Sequence, residues 1–271
     1  NGKLTVASVD KKQRKRHPAP PFITSTLQQE ASRKLGFTTM RTMRTAQQLY
    51  EGVALGSGET VGLISYMRTD SVSLAREAVS EIRDVIAQRF GKHAVPDAPR
   101  AYQSKSKNAQ EAHEAVRPTS AARHPEDVRA FLSPDQAKLY ELIWRRTVAC
   151  QMQAAVYDTV SANLNAGAGN TFRANGSTLI EPGFIAVYLE GRDESNDDDN
   201  DKKLPILTVG DVLPLEELIT EQHFTEPPPR FTEASLVKTL EEYDIGRPST
   251  YASIINTLQT REYVRLEGKA F

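Results

Sequence analysis

Apolar residues recur at helical spacing through the first half of the chain, and they alternate with polar residues through much of the second half. Alternation predicts strands at residues 3–9, 156–164, 170–174, 184–189 and 211–219. Spacings of three and four residues predict helices at 24–35, 42–53, 74–90, 133–152, 232–243 and 249–261, with a short strand at 263–266 after the last of them.

Two stretches of sequence mark where elements begin or are connected. Ser133, Pro134 and Gln136 form the sequence pattern of a capping box with proline at the first helical position, so a helix should begin there. The basic run at 11–16 leads into the proline-rich stretch at 17–21, which we interpret as a rigid connector.

The order of the elements predicts an α+β protein with several domains. A β-rich domain should comprise residues 1–22 and 153–225, because strands occur on both sides of the helical block. Residues 23–152 would form a helical, helix-turn-helix-like domain inserted into it. Residues 226–271 should contribute a helix pair to a further domain, with Asp244–Pro248 as its turn.

Composition narrows the class of protein. The 271 residues contain no apolar stretch of membrane-spanning length and no secretory signal pattern, and Cys150 is the only cysteine. These features predict a protein of the reducing cytoplasm with no membrane partner, in which Cys150 has a core role.

Charge is distributed unevenly along the chain. The net charge is −1, but residues 1–50 carry ten Lys or Arg against two acidic residues, whereas residues 193–201 are strongly acidic. This distribution is compatible with binding a polyanion on one face, and equally with uneven surface charge.

A first candidate site contains Tyr66, Arg68 and Asp70. In an extended backbone these three side chains share one face. A phenol is a weak nucleophile at neutral pH, and a neighbouring guanidinium both favours its ionised form and holds phosphate oxygens. The alternative is an exposed tyrosine beside an ordinary surface salt bridge.

A second candidate site lies at 108–118, which is rich in side chains that bind phosphate or relay protons. His113 and Glu114 begin a near match to the zinc-protease pattern, but Arg117 stands where the second histidine ligand belongs, so we reject zinc. His113 could donate to a phosphate or relay a proton, or it could simply bridge neighbouring helices.

A third candidate site is the turn before the last helix. Arg247, Ser249 and Thr250 precede the free N–H groups of a helix N-terminus, which favours phosphate binding, and Arg261 lies near the other end of the same helix. The alternative is a plain helix cap with an arginine in solvent.

Four segments, taken in order and spacing, resemble the bacterial type IA DNA topoisomerases. Within that family, 66–71 and 246–252 look like the topoisomerase I branch, since topoisomerase III usually has proline in place of Met67. Glu262 departs from the family pattern, which usually has glycine there. The matching segments are Pro21–Gln29, Gly62–Ser71, Gln110–Pro118 and Gly246–Ala252.

The resemblance implies a function and a role for each candidate residue. Tyr66 would attack single-stranded DNA and become linked to a 5′ phosphate, Arg68 would stabilise that phosphate, and His113 would contact the cleavage site. Covalent catalysis of this kind conserves the energy for religation, so negative supercoils are relaxed without ATP. The resemblance further implies DNA contacts from Arg247, Ser249, Thr250 and Arg261. It implies supporting roles for Asp70, Glu111 and Arg117.

The resemblance also implies a larger assembly. The β-rich domain would be the arch of a toroid, and the last helices would belong to a DNA-binding domain. The family binds Mg²⁺ in a Toprim domain and carries a C-terminal zinc region. Neither is found in this sequence, so we expect an internal fragment that holds no metal and is inactive alone. The enzyme would be cytoplasmic and nucleoid-associated, with single-stranded DNA and the Toprim domain, in cis, as its partners.

The sequence alone allows three other interpretations of the protein's class. A non-enzymatic helix-turn-helix protein would need a basic recognition helix, but residues 250–260 contain no Lys or Arg. A tyrosine recombinase or type IB enzyme places its nucleophile after the Arg-His-Arg set, whereas Tyr66 precedes His113 and Arg117. A purely structural module would leave Tyr66 and Arg68 unexplained.

Overall fold

A computed structural model describes residues 2–56, 58–103, 114–191 and 203–271. The chain divides into two compact units. The strand unit comprises residues 1–17, 154–183 and 195–228, and the helical unit comprises residues 18–153, 184–194 and 229–271.

The described residues form seven α-helices and six strands. The strands are β1 (Lys3–Arg16), β2 (Val53–Ala54), β3 (Thr60–Val61), β4 (Ala155–Asn165), β5 (Thr171–Glu181) and β6 (Val212–Pro214). The helices are α1 (Thr24–Leu35), α2 (Thr39–Glu51), α3 (Arg76–Phe90), α4 (Pro125–Val128), α5 (Pro134–Cys150), α6 (Glu233–Glu242) and α7 (Tyr251–Thr260).

The strand unit is built on one antiparallel sheet with the order β5-β4-β1-β6. Val6, Ala162, Leu164 and Leu207 form its buried core. β6 pairs only with Lys3–Thr5 of β1, whereas β4 pairs with β1 along almost its whole length.

The helical unit has a larger core, to which the loops between its helices contribute. α6 packs against α1, and α7 packs against α2. A carboxylate oxygen of the buried Glu233, in the first turn of α6, accepts a hydrogen bond of 2.6 Å from the backbone N–H of Thr39, the first residue of α2. The side chains with the least exposure in this unit include Phe22, Leu27, Leu49, Leu63, Ile64, Met67, Ile82, Ile86, Leu139, Tyr140 and Ile143.

Helices were predicted better than strands. α1 has the predicted bounds, and the capping box of Ser133 and Gln136 is present at the start of α5. The strand predicted at 3–9 is too short, because residues 11–16 continue β1 and pair with Ala155–Val160 of β4.

Three predicted strands are wrong or shortened. Residues 184–189 contain a 3₁₀ turn at Gly183–Ala186, and the buried positions Phe184, Val187 and Tyr188 follow helical rather than alternating spacing. Residues 263–266 form no strand, since the chain turns after α7. Only Val212–Pro214 of the strand predicted at 211–219 is extended and paired.

The mixed α and β composition is confirmed. The arch, the inserted domain and the three domain boundaries stay predictions. Within the described ranges, no helix combines the length and the apolar character that crossing a membrane requires.

Candidate active site

Residues 66–71 form an irregular segment of the helical unit with a bend at Met67, and their burial alternates. Met67, Thr69 and Ser71 are buried, whereas Tyr66 is exposed and Arg68 and Asp70 are half-buried. This alternation puts Tyr66, Arg68 and Asp70 on the solvent side of the segment, as their spacing predicted.

The hydroxyl of Tyr66 lies beside the guanidinium of Arg68. Nη1 of Arg68 is 3.4 Å from the phenolic oxygen of Tyr66 and 3.4 Å from Oε1 of Gln47. With 41% of Tyr66 exposed, its hydroxyl faces solvent while a positive charge stands next to it. The pair can therefore present an oxygen nucleophile and an oxyanion-stabilising donor to one incoming group.

Three residues of α2 complete the surroundings of Tyr66. Nε2 of Gln47 donates a 2.6 Å hydrogen bond to Oε1 of Glu51, which fixes the amide that contacts Arg68. The ring of Tyr50 meets the ring of Tyr66 edge to face, with centroids 5.3 Å apart. Sequence reasoning missed Gln47, Tyr50 and Glu51 because only the tertiary packing of α2 brings them to the tyrosine.

We call residues 66–71 the tyrosine segment. The start of α1 holds this segment from one side. The hydroxyl of Thr24 is 2.7 Å from the carbonyl oxygen of Met67 and accepts a 2.9 Å hydrogen bond from the N–H of Thr69. Thr24 is fully buried, so these bonds form away from water. The segment is thereby fixed on both sides of Arg68.

Residues 114–119 hold the segment from the other side. The Ser65 hydroxyl donates to the carbonyl of Ala115 at 2.7 Å, and the Ser65 N–H donates to the carbonyl of Arg117 at 2.8 Å. The side chain of Arg117 forms a 2.8 Å ion pair with Glu114. The charge of Arg117 is therefore used within the stretch that supports Ser65. His113 and Glu111, the other predicted residues of this stretch, lie outside the described residues.

The turn before α7 engages most of its own polar groups. The hydroxyl of Thr250 accepts a 2.8 Å hydrogen bond from the N–H of Arg247, and Nη1 of Arg247 donates to the carbonyl of Gly246 at 2.7 Å. Ser249 is exposed, and α7 begins only at Tyr251. Arg247, Ser249 and Thr250 thus share one turn.

Arg261 is not part of that turn. It follows the last residue of a ten-residue helix, roughly 15 Å along the axis from the start of α7. The structure therefore separates Arg261 from the other three predicted DNA-binding residues.

The start of α7 and the tyrosine segment are neighbours. Burial raises the pKa of Tyr251, and the negative charges of Glu241 and Asp70 raise it further. Asp70 is thus within electrostatic reach of Tyr251, so the third candidate site adjoins the first.

A divalent-cation site would need several acidic side chains close together. Mg²⁺ needs several oxygen ligands in octahedral geometry. Among the residues that the structure describes, no group of three or more His, Cys, Asp or Glu side chains could hold a metal ion. Glu51 is bonded to Gln47 rather than directed at an open position.

Comparison with known proteins identifies the family. A family model described as DNA topoisomerase matches residues 1–271, so the chain belongs to the DNA topoisomerases. The relatives described next come from bacteria, which confirms the resemblance to the bacterial type IA enzymes.

The relatives are similar over the whole chain. DNA topoisomerase 1 of Xylella fastidiosa, strain Temecula1, is 62% identical over 272 residues, covering 100% of this chain and 33% of the relative. DNA topoisomerase 1 of Rickettsia typhi is 54% identical over 271 residues, covering 99% and 34%. The chain thus spans about a third of the length of the curated relatives it matches.

A solved structure shares the fold. Full-length topoisomerase I from Thermotoga maritima matches with a TM-score of 0.83 and 36% identity, over 100% of this chain and 42% of that protein.

Proposed function

We propose that this chain carries the nucleophile of a type IA DNA topoisomerase, and that Tyr66 cleaves one strand of DNA. The observation that carries the proposal is the 3.4 Å approach of Arg68 to the exposed hydroxyl of Tyr66, on a segment held from both sides. The family match and the bacterial relatives support it.

The reaction is a transesterification. The phenolic oxygen of Tyr66 bonds to phosphorus and its proton passes to water, while the bond from phosphorus to the 3′ oxygen breaks and that oxygen takes up a proton. The product is a 5′ phosphotyrosine and a free 3′ hydroxyl. Because one ester replaces another, the reverse attack reseals the strand without ATP.

Arg68 is placed to act in this step. Charge builds on the phosphate oxygens as the tyrosine attacks, and a fixed guanidinium stabilises that charge more than it stabilises the ground state. Gln47 and Glu51 act through Arg68 as positioning residues, since their hydrogen-bonded chain limits where the guanidinium can turn.

We assign the other predicted residues to binding and support. Arg247, Ser249 and Thr250 contact the strand at the turn before α7, and Arg261 contacts it at the far end of that helix. Asp70 and Arg117 stabilise the segments that carry Tyr66. His113 and Glu111 take the roles that the family resemblance gives them, at the cleavage site and in support.

The wider activity belongs to the longer protein. Mg²⁺ would be bound by a Toprim domain outside this chain, and the β-rich part would form the arch through which a strand passes when negative supercoils relax. Single-stranded DNA is the substrate, and the protein works in the cytoplasm at the nucleoid. The 271-residue chain alone is expected neither to cleave nor to relax DNA efficiently.

A chimaera tests the proposal. These 271 residues would replace the corresponding 272 of the Xylella fastidiosa relative, and the product would be incubated with Mg²⁺ and a single-stranded oligonucleotide labelled at one end. After quenching with denaturant, label from 3′-labelled DNA should remain on the protein, and label from 5′-labelled DNA should not. Tyr66→Phe should abolish the capture while leaving oligonucleotide binding unchanged.

Two outcomes would contradict the proposal. Label captured only from 5′-labelled DNA would indicate a 3′ phosphotyrosine and therefore a recombinase-like or type IB reaction. No covalent species, with normal DNA binding by both the chimaera and Tyr66→Phe, would indicate a binding protein without cleavage.

A further inference from the structure

A cavity of about 610 Å³ lies in the helical unit, between the N-terminal half of α3 and residues 99–102. Its volume is within the range of pockets that hold a small organic ligand. We call it the arginine cleft and define it by six of its lining residues: Leu74, Arg76, Val79, Arg83, Arg100 and Tyr102.

The charge of the arginine cleft is positive. Its described lining includes three arginines and no acidic side chain. Within the described part of the chain, neither Arg76 nor Arg83 forms an ion pair, and Nε of Arg100 donates a 2.8 Å hydrogen bond to the carbonyl of Met152. A concentration of positive charge in a concave site attracts an anion.

Arg83 has an unused donor. Its Nη2 donates a 2.8 Å hydrogen bond to the carbonyl of Pro96, whereas Nη1 is shielded from solvent and has no partner among the described residues. A guanidinium with a buried, unsatisfied N–H is costly unless another group compensates its charge. A phosphate in the cleft would supply that negative charge.

Apolar side chains also line the cleft, and one aromatic side chain among them is fixed. Val72, Leu74, Val79, Pro99 and Ala101 line it together with Tyr102. The hydroxyl of Tyr102 is 2.7 Å from the carbonyl of Cys150 and 3.2 Å from the carbonyl of Pro18. A fixed aromatic ring beside an aliphatic surface suits a nucleobase, because every base has a face that stacks.

The cleft is close to the cleavage site. Val72 follows Tyr66 by six residues, which span at most about 20 Å even when fully extended. The carbonyl of Ser73, which also lines the cleft, accepts a 2.8 Å hydrogen bond from Ala115, and Ala115 in turn accepts from Ser65 beside the tyrosine.

We propose that the arginine cleft binds one nucleotide of the single DNA strand beyond the cleavage position. Its phosphate lies against Arg76 and Arg83, and its base lies against Tyr102 and the apolar lining residues. The proposal rests on the proposed function, since it extends the path of the same strand away from Tyr66.

Oligonucleotide binding by charge variants tests the cleft. The probe is a fluorescein-labelled single-stranded oligo-dT, with binding followed by anisotropy at several salt concentrations. Arg76→Gln with Arg83→Gln should weaken binding by about tenfold and lower the salt slope by about one, as expected for the loss of one phosphate contact.

Arg89→Gln provides the matched control. Arg89 is on the same helix but does not line the cleft, and its nearest acidic oxygen, on Asp127, is 4.0 Å away. Its loss should change affinity less than twofold. An equal effect of the control, or no effect of the double variant, would overturn the proposal.

Crosslinking gives a second measurement that does not depend on a variant folding. An oligo-dT carrying 5-iodouracil would be irradiated with the unaltered chain and the crosslinked peptides identified by mass spectrometry. Adducts on Tyr102 support the cleft. Adducts confined to the surroundings of Tyr66 or to the turn before α7 overturn it and leave the proposed function intact.

Two further outcomes distinguish failure of the arginine cleft from failure of the proposed function. If thymidine monophosphate at micromolar concentration abolishes the Tyr102 adduct, the cleft is a site for free nucleotides and not for a strand. If oligo-dT neither binds nor crosslinks anywhere, the strand path fails together with the DNA-binding part of the proposed function.

Discussion

Thr24 and Thr69 are joined by reciprocal hydrogen bonds across 45 residues of sequence. The N–H of Thr24 donates to the carbonyl of Thr69 at 3.0 Å, and the N–H of Thr69 donates to the hydroxyl of Thr24 at 2.9 Å. The pair connects the first residue of α1 to the segment that carries Tyr66. The position of the tyrosine is therefore set by the helix start as well as by its own strand-like neighbours.

Thr24→Val should destabilise the chain and disturb the tyrosine segment. Valine has nearly the same shape but cannot accept from Thr69, so a buried N–H loses its partner at a cost of about 1–3 kcal/mol. Urea unfolding of the 271-residue chain measures this loss. Thr24→Ser keeps the hydroxyl and should retain most of the stability. Equal loss in both variants would show that the methyl group, not the hydroxyl, stabilises the segment.

Arg68→Ala should reduce DNA cleavage by the chimaera about 100- to 1000-fold, the usual effect of removing one oxyanion-stabilising donor. Single-turnover capture of 3′-labelled DNA measures the rate. Arg68→Lys keeps the charge but loses the planar fork, so it should restore only part of the rate. A fully active Arg68→Ala chimaera would remove Arg68 from the reaction.

Gln47→Leu should slow cleavage by a smaller factor, between a few-fold and about 100-fold, because Arg68 keeps its charge but loses a contact that positions it. DNA affinity should change little, which distinguishes a positioning role from a binding role. Gln48→Leu is the matched control, since Gln48 is the next residue of α2 and bonds to Gln136 instead. The same rate loss in both variants would indicate damage to α2 rather than misplacement of Arg68.

Glu81 should make the stability of the helical unit depend on pH. Burial alone would raise the pKa of Glu81, but hydrogen bonds from Ser120 and from the N–H groups of Ala121 and Ala122 outweigh it and lower the pKa. A lowered folded-state pKa gives stability that is present above the unfolded value of about 4.3 and is lost as pH falls through the folded value.

The measurement is the difference in unfolding free energy between the unaltered chain and Glu81→Gln. It should be about 1 kcal/mol at pH 7, a value typical of a partly exposed hydrogen-bonded carboxylate, and should shrink below pH 4. Asp84→Asn, on the exposed side of the same helix, is the control. If the difference in unfolding free energy grows as the pH falls, the folded-state pKa of Glu81 is raised rather than lowered.

Glu262→Gly should stabilise the end of the helix pair. Glu262 has φ 55°, a left-handed conformation that costs a residue with a Cβ roughly 1–2 kcal/mol and costs glycine almost nothing. Because glycine also gains freedom in the unfolded chain, the net gain should be below about 1 kcal/mol. Thermal unfolding measures it, with Glu267→Gly as the comparison outside the left-handed region. A destabilised Glu262→Gly variant would mean that the glutamate side chain makes compensating contacts.

Local patterns predicted the helices because their signals are local. The apolar spacing of α1 and the capping box at Ser133 depend on residues within a few positions of one another, and both were found where predicted. The common face of Tyr66 and Arg68 followed from spacing in the same way. The burial of Cys150 also agrees with its predicted core role, and burial raises the pKa of its thiol to about 12.

Features that depend on distant partners could not be predicted. Residues 11–16 look like a solvated basic run, and only pairing with β4 makes them a strand. The apolar positions in residues 184–189 fit both the alternation of a strand and the spacing of a helix. Packing in the helical unit selects the helical spacing. Gln47 and Tyr50 carry no signal of their own, since their role comes from lying against Tyr66.

The short length of β6 leaves most of one long edge of β1 without a strand partner in the described chain. An open edge is a template on which a second molecule can extend the sheet. Here that edge carries Lys11, Lys12, Arg14 and Lys15, all of them exposed. Two copies meeting edge to edge would place like charges opposite one another. The basic end of β1 should therefore disfavour edge-to-edge pairing of two copies.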